Sequence, residues 1–189
     1  MQLIEIISNF IQIAAKYNYK ARYCDDNEII VQTRTLINDI VASYNHALWY
    51  YESNEKIIIY EDKPEITAAA EIVAPELAAD IVRYNHYSSK GDLKIKRQIL
   101  TALGRELEAK RAMLSKHNSS LENAVFAILN NMGIRHNNIH NQEVIKAFTD
   151  EEMEYWYDEL YQMILLATLE IDNAKRLERY VSELKPRIT

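Results

Sequence analysis

The stretch Thr149-Asp-Glu-Glu-Met-Glu-Tyr-Trp-Tyr-Asp-Glu-Leu-Tyr-Gln-Met-Ile-Leu-Leu-Ala-Thr-Leu169 decides the fold. Its first four residues have the spacing of a capping box, in which the Thr149 hydroxyl takes the Glu152 amide and the Glu152 carboxylate takes that of Thr149. Behind this cap, Met153, Tyr157, Leu160, Ile164, Ala167, Ile171 and Ala174 alternate steps of four and three. That period puts all seven on one helical face and predicts a helix running to about Leu184, the longest in the chain. From Ile164 to Leu166 the pattern is apolar nearly all round, which suits the central stave of a bundle.

Outward from that helix, the chain carries little that a sheet needs. Three glycines and three prolines stand among 189 residues, where average usage would supply about 13 and about 9. Tight hairpins, bulges and phosphate-cradling loops depend on those two residues. Gly91, Gly104 and Gly133 form no Gly-x-Gly spacing, so the Rossmann and P-loop fingerprints are absent. Helical spacing recurs instead. Leu3, Ile6, Ile7, Phe10, Ile11 and Ala14 lay an apolar stripe on a first helix, and Tyr17 to Asp26 reads as a connector. A second helical period runs from Asn27 to about Glu52, although Glu28 to Thr33 could also be a strand. Lys56-Ile-Ile-Ile-Tyr60 is the most strand-like run; without an evident partner it is expected to be irregular or helical. Pro64 suits a helix first turn, and Pro75 restarts or kinks that helix, which runs on to about His86.

Ser88 to Gly91 reads as a linker. Asp92 is then an N-cap for a helix to about Lys116, with Leu93, Leu100, Leu107 and Leu114 seven apart. Lys96 and Lys110 on that seam favour an ordinary bundle helix over a zipper. A further helix runs from Ser119 or Ser120 to Met132, with capping-box spacing from Ser119 to Glu122. The expectation is an all-α, single-domain helical bundle of about five to seven helices. It spans 1–189, with N-terminal helices over 1–90 and a second group over 91–189.

Apolar residues make up 48% and charged residues 26%, a globular balance that excludes general disorder. The net charge of −6 argues against a sequence-independent DNA coat, which needs excess cations to release counterions. Cys24 is the sole cysteine, so an internal disulfide is excluded and a reducing, cytoplasmic setting is the default. Flanked by Asp25 and Asp26, its thiolate is disfavoured. No secretory signal or membrane span is expected. Charge is segregated: residues 90–116 hold eight Lys and Arg against three acids, and residues 150–184 hold ten acids against three bases. These are solvated neighbouring faces, or else Lys90, Lys94, Lys96, Arg97 and Arg105 form a surface for RNA phosphate or an acidic partner.

Nucleophile-elbow, His-Glu-x-x-His and paired Glu-x-x-His motifs are all absent. The densest polar cluster is Asn130-Asn-Met-Gly-Ile-Arg-His-Asn-Asn-Ile-His-Asn-Gln142, with five asparagines, two histidines and one glycine. Asn and Gly suit a turn between helices. Arg135 with two imidazoles adds more, because a guanidinium can hold phosphate bidentately while His moves a proton near neutrality. Together they suffice in principle for metal-free transesterification of an RNA phosphodiester.

Arg135-His-Asn-Asn-Ile-His140, followed by a long helix in a helical chain, resembles the signature of HEPN-domain proteins. The resemblance covers the motif and the helical setting of about the last seventy residues. It implies a helical bundle, often a homodimer that joins two Arg/His motifs, and in many members a metal-independent RNase of stress or phage-defence systems, with an RNA substrate and in some cases an antitoxin. Position by position, Arg135 would bind phosphate and His140 would be the acid/base. The family often has Asn directly after the Arg; here His136 stands there, with Asn137 and Asn138 behind it as auxiliary residues. Arg111 to His117 is a second match of the same pattern. No cofactor or metal is implied, and His136 with His140 lacks a nearby third ligand. His46 and His86 read as capping or packing residues. Tyr155, Tyr157 and Tyr161 read as core positions with a wet hydroxyl. The competing expectation is a non-catalytic helical bundle whose acidic last helix or basic fourth helix docks a protein partner.

Overall fold

The structure, a computed structural model, describes residues 1–18, 25–51, 56–135 and 145–188. These are predominantly helical and fall into two compact units. The first is Met1–Lys63 with Asn85–Lys90, and the second is Pro64–Tyr84 with Gly91–Thr189. The helices of 64–84 therefore group with the later part of the chain, and the boundary does not fall simply at residue 90. Among the described residues, no helix is long and apolar enough to cross a membrane.

In the second unit the prolines open helices as expected, at α3 (Pro64–Glu71) and α4 (Pro75–Tyr84). Then come α5 (Leu93–Glu108), α6 (Arg111–His117), α7 (Ser119–Asn131) and α8 (Asp150–Arg179). Thr149 and Glu152 form the complete capping box at the head of α8, and the seven seam residues from Met153 to Ala174 are all buried. α3, α5, α6 and α7 pack against α8, and Ile66, Ile81, Val82, Leu100, Leu103, Val125 and Phe126 are buried in the same unit. Tyr84 stacks on Tyr161 with ring centroids 4.0 Å apart, and the Tyr161 hydroxyl donates to the Ile81 carbonyl at 2.8 Å. Gly104 lets α5 and α7 approach closely. A Cβ there would lie 2.8 Å from a methyl of Leu129, which is itself fully buried.

Three expected boundaries move. The helix from Asp92 to Lys116 breaks after Glu108, and α6 restarts at Arg111. This break aims Arg111 at Glu122 of α7 while Leu114 stays in the core. The cap of α7 is Asn118, whose side chain takes the Leu121 amide at 3.0 Å. Glu122 cannot close a box with Ser119, because its carboxylate is turned inward to Arg111. Beyond Arg179 the last helix continues through a widened π-turn, Tyr180–Leu184, into α9 (Lys185–Ile188). The wide turn ends two residues before Pro186, which has no amide to offer a regular helix.

The first unit holds α1 (Gln2–Asn18), α2 (Asp25–Ser43), a hairpin and a 3₁₀ turn at Tyr87–Ser89. Here the sequence expectation of helix or irregular chain fails. β1 (His46–Tyr51) and β2 (Lys56–Glu61) pair antiparallel, from His46 opposite Glu61 to Tyr51 opposite Lys56. α2 stops at Ser43, and Asn45 takes a left-handed φ of 57°, a conformation Asn tolerates. Leu48 and Tyr51 fit a helical period, yet His46-Ala-Leu-Trp-Tyr-Tyr51 is also an aromatic run suited to a half-buried strand. Ile37, Val41 and Ile59 form the small core, with Ile4, Ile11 and Leu48 packed against it.

α1 turns a mixed face inward, with Ile4 and Ile11 on the small core beside Glu5 and Asn9 on β2. The Asn9 amide group donates to the Ile57 carbonyl at 2.9 Å and accepts the Ile57 amide at 2.8 Å, so it completes the β2 backbone as a neighbouring strand would. Glu5 accepts the Ile59 amide at 2.8 Å. The apolar stripe is split: Ile11 meets the core, while Leu3, Ile6, Ile7 and Phe10 face outward, exposed together with Ile13.

Candidate functional site

The end of α7 leads to the expected phosphate-binding arginine. Gly133 takes a φ of 64°, a left-handed turn that side-chain-bearing residues avoid. The turn is fastened to α5 at two points: Arg97 donates to the Gly133 carbonyl, and the Thr101 hydroxyl donates to that of Ile134 at 3.0 Å. Arg135 is thereby delivered to the C-terminal end of α5. One of its nitrogens lies 2.6 Å from a Glu108 carboxylate oxygen and donates to Asn130 at 3.3 Å. The approach to Glu108 is an ion pair by distance without hydrogen-bond alignment.

Arg111, from the second Arg-to-His match, converges on the same place. Its Nε donates to Glu122 at 2.5 Å, and another nitrogen lies 3.7 Å from Glu108. The guanidinium carbon of Arg111 sits 4.3 Å from the centre of the Phe126 ring, and that of Arg135 sits 5.8 Å from it. Two cations and two carboxylates around one buried aromatic ring make a balanced cluster. A phosphate binding Arg135 at this nitrogen would compete with Glu108. His117 is exposed in the last turn of α6. His136, Asn137, Asn138 and His140 lie outside the described residues, as does Cys24.

The expected basic surface on α5 is partly dismantled. Lys94 and Arg105 are exposed, while Arg97 is half-buried and engaged with Gly133. Lys96 is a correction. It is 4% exposed, and its ammonium is held by Asp158 at 2.6 Å and Glu154 at 2.7 Å, so it presents nothing to an external phosphate. Net charge along a sequence cannot distinguish a cation that coats a helix from one clamped between two acids. The Tyr84 hydroxyl donates to the same Asp158 oxygen at 2.8 Å, the Gly91 amide takes Glu154 at 2.7 Å, and the Lys96 ammonium lies 5.1 Å from the Tyr84 ring centre. Burial, then the negative charge of Asp158, pushes the Tyr84 phenol far above its ordinary range, so it stays a donor.

His46 Nδ1 donates to the Tyr44 carbonyl, 2.7 Å away. His86 is a cap, as its context suggested: its side chain accepts the Ser88 amide at the start of the 3₁₀ turn. Its other ring nitrogen lies 2.8 Å from Glu5, 81 positions earlier. No local spacing in the sequence could have joined Glu5 to His86. Among the described residues, no three His, Cys, Asp or Glu side chains are grouped to hold a metal ion. No protein-family model, curated protein or solved structure matches the chain.

Proposed function

We propose that this chain is a helical interaction protein that pairs with a second copy of itself through the outer face of α1. One observation carries the proposal: Leu3, Ile6, Ile7, Phe10 and Ile13 are each 42–70% exposed along that helix. Together they offer water on the order of 600 Å² of apolar side chain, as much as the largest patch a monomer usually leaves open. None of the five is charged, so a two-fold axis through the patch sets no like charges against each other. Leu3, Ile6, Phe10 and Ile13 step by three, four and three, the spacing of a two-helix seam. A standard interface takes about 800 Å² from each partner, and this row alone supplies most of that share.

Light scattering or sedimentation of the full chain tests the pairing. A dimer is expected at roughly 10 μM, with Phe10→Asp a monomer of unchanged helicity, because a buried charge at a seam costs several kcal/mol. A monomeric wild-type chain at roughly 100 μM, or a dimer indifferent to Phe10→Asp, sinks the proposal.

The convergence of Arg111 and Arg135 on Glu108 favours a second reading, a HEPN-like, metal-independent RNase. In it, phosphate displaces Glu108 from Arg135 while His140 moves the proton, and the dimer brings two such sites together. Labelled RNA incubated in EDTA separates the readings: cleavage lost in His140→Ala supports the enzyme, and absence of cleavage on any RNA leaves the interaction protein.

A further inference from the structure

Glu5, His86 and Ser88 make a three-group relay inside the first unit. The Ser88 hydroxyl oxygen lies 2.7 Å from Nδ1 of His86, and Nε2 of the same ring lies 2.8 Å from a Glu5 carboxylate oxygen. The tautomer follows from the backbone. The Ser88 amide donates to Nδ1 at 3.3 Å, and an amide can only donate, so Nδ1 carries the lone pair. The ring proton therefore sits on Nε2 and points at Glu5. The carboxylate is pinned in turn by the Ile59 amide at 2.8 Å, and the isolated bridge between Tyr60 and His86 anchors the histidine backbone.

Exposure is graded along the relay. The side chains of Glu5 and His86 are 14% and 10% exposed, whereas Ser88 is open to solvent. Tyr87 lies against the imidazole, with ring centroids 4.0 Å apart. Capping the 3₁₀ turn requires only the bond from the Ser88 amide to Nδ1. It does not require a shielded carboxylate behind the ring or a hydroxyl on the lone pair in front of it. That arrangement is the one by which a neutral imidazole removes a hydroxyl proton while a carboxylate steadies the imidazolium that forms.

We propose that Ser88 is the nucleophile of an acyl-transfer site, with His86 as its base, Glu5 as a positioning residue, and carboxylic esters of small acyl groups as substrates. The Ser88 oxygen bonds to the ester carbonyl carbon as its proton passes to Nδ1. The bond from that carbon to the alcohol oxygen breaks, and the departing alkoxide takes the proton from Nδ1. The oxygen of a water molecule then bonds to the acyl carbon as one of its protons passes to Nδ1, the bond from that carbon to the Ser88 oxygen breaks, and that oxygen takes the proton from Nδ1, so ester and water leave as acid and alcohol.

Labelling of the full chain with a serine-directed alkyl fluorophosphonate, read by peptide mass spectrometry, tests the site. The expected result is a label on Ser88 that is absent in Ser88→Ala and forms roughly a hundred-fold more slowly in His86→Gln, as removal of a general base predicts. An unlabelled Ser88, or a rate unaffected by His86→Gln, overturns the proposal. Since His86 and Glu5 also hold the hairpin, a Ser88→Cys chain keeps both in place. Its new thiol should react with iodoacetamide at least about ten-fold faster than the same thiol in Ser88→Cys with Glu5→Gln, both chains showing the same helicity. Equal rates overturn the role of Glu5 and with it the relay.

Discussion

Lys96→Ala is expected to destabilise the second unit by about 3 kcal/mol, seen as a lower urea midpoint with an unchanged slope. The substitution removes the buried side-chain stem in the first turn of α5, and it leaves Glu154 and Asp158 facing each other one turn apart on α8. The Gly91 amide and the Tyr84 hydroxyl still hold those carboxylates, and both acids retain some contact with water, so the loss stays below that of a fully enclosed charge. Lys96→Met separates the two contributions. It refills the volume without restoring the charge, and about half of the stability should return. A loss under about 0.5 kcal/mol in Lys96→Ala would place the ion pair with ordinary surface contacts. A loss of RNA binding at unchanged stability would restore Lys96 to a phosphate surface.

Arg111→Ala is expected to cost about 3 kcal/mol as well, for a different reason. Glu122 keeps only 6% of its side chain exposed and pairs with Arg111 at 2.5 Å. Without the guanidinium, the acid must remain charged in a poorly solvated site or take up a proton, and each outcome is unfavourable. Arg111→Ala combined with Glu122→Gln should therefore be more stable than Arg111→Ala alone, a coupling that a double-mutant cycle measures directly. Arg111→Lys is expected to recover only part of the loss, because an ammonium does not reproduce a planar group stacked over Phe126. Additive losses in the cycle would show that the two side chains are independent.

The parts of the fold that could be read in advance are those written in adjacent residues. Thr149 and Glu152, Asp92, Pro64 and Pro75 act within one helical turn, and the seam from Met153 to Ala174 repeats often enough that no strand could carry it. The hairpin could not be read this way. Leu48 and Tyr51 satisfy a helical period as well as a strand, and the choice between them depends on Ile59 and Val41 offering a common core. α1 shows the opposite failure. Its helical period is correct, but Asn9 and Glu5 have partners on β2, so the inward face combines them with Ile4 and Ile11 and leaves most of the apolar stripe outside. Of the candidate residues, Arg135 was legible as a cation beside a turn because Gly133 marks that turn. Its engagement with Glu108 was not, since the two meet only after α5 and α7 have packed. Lys96 was counted with its exposed neighbours Lys94 and Arg105, because a sequence records charge without recording enclosure.

A two-stranded sheet has an open flank on each side, and a row of bare amides and carbonyls invites any passing extended chain to add itself. On β2 that flank is closed by side chains up to the Tyr60 bridge to His86: Asn9 supplies both halves of a peptide-like pairing at Ile57, and Glu5 occupies the next amide at Ile59. Neither presents a further backbone edge, so growth of the sheet stops there. α1 thus acts as a terminator. A chain shortened to begin after α1 would expose Lys56-Ile-Ile-Ile-Tyr60, rich in β-branched residues and without proline, as a template for stacking identical strands into fibrils.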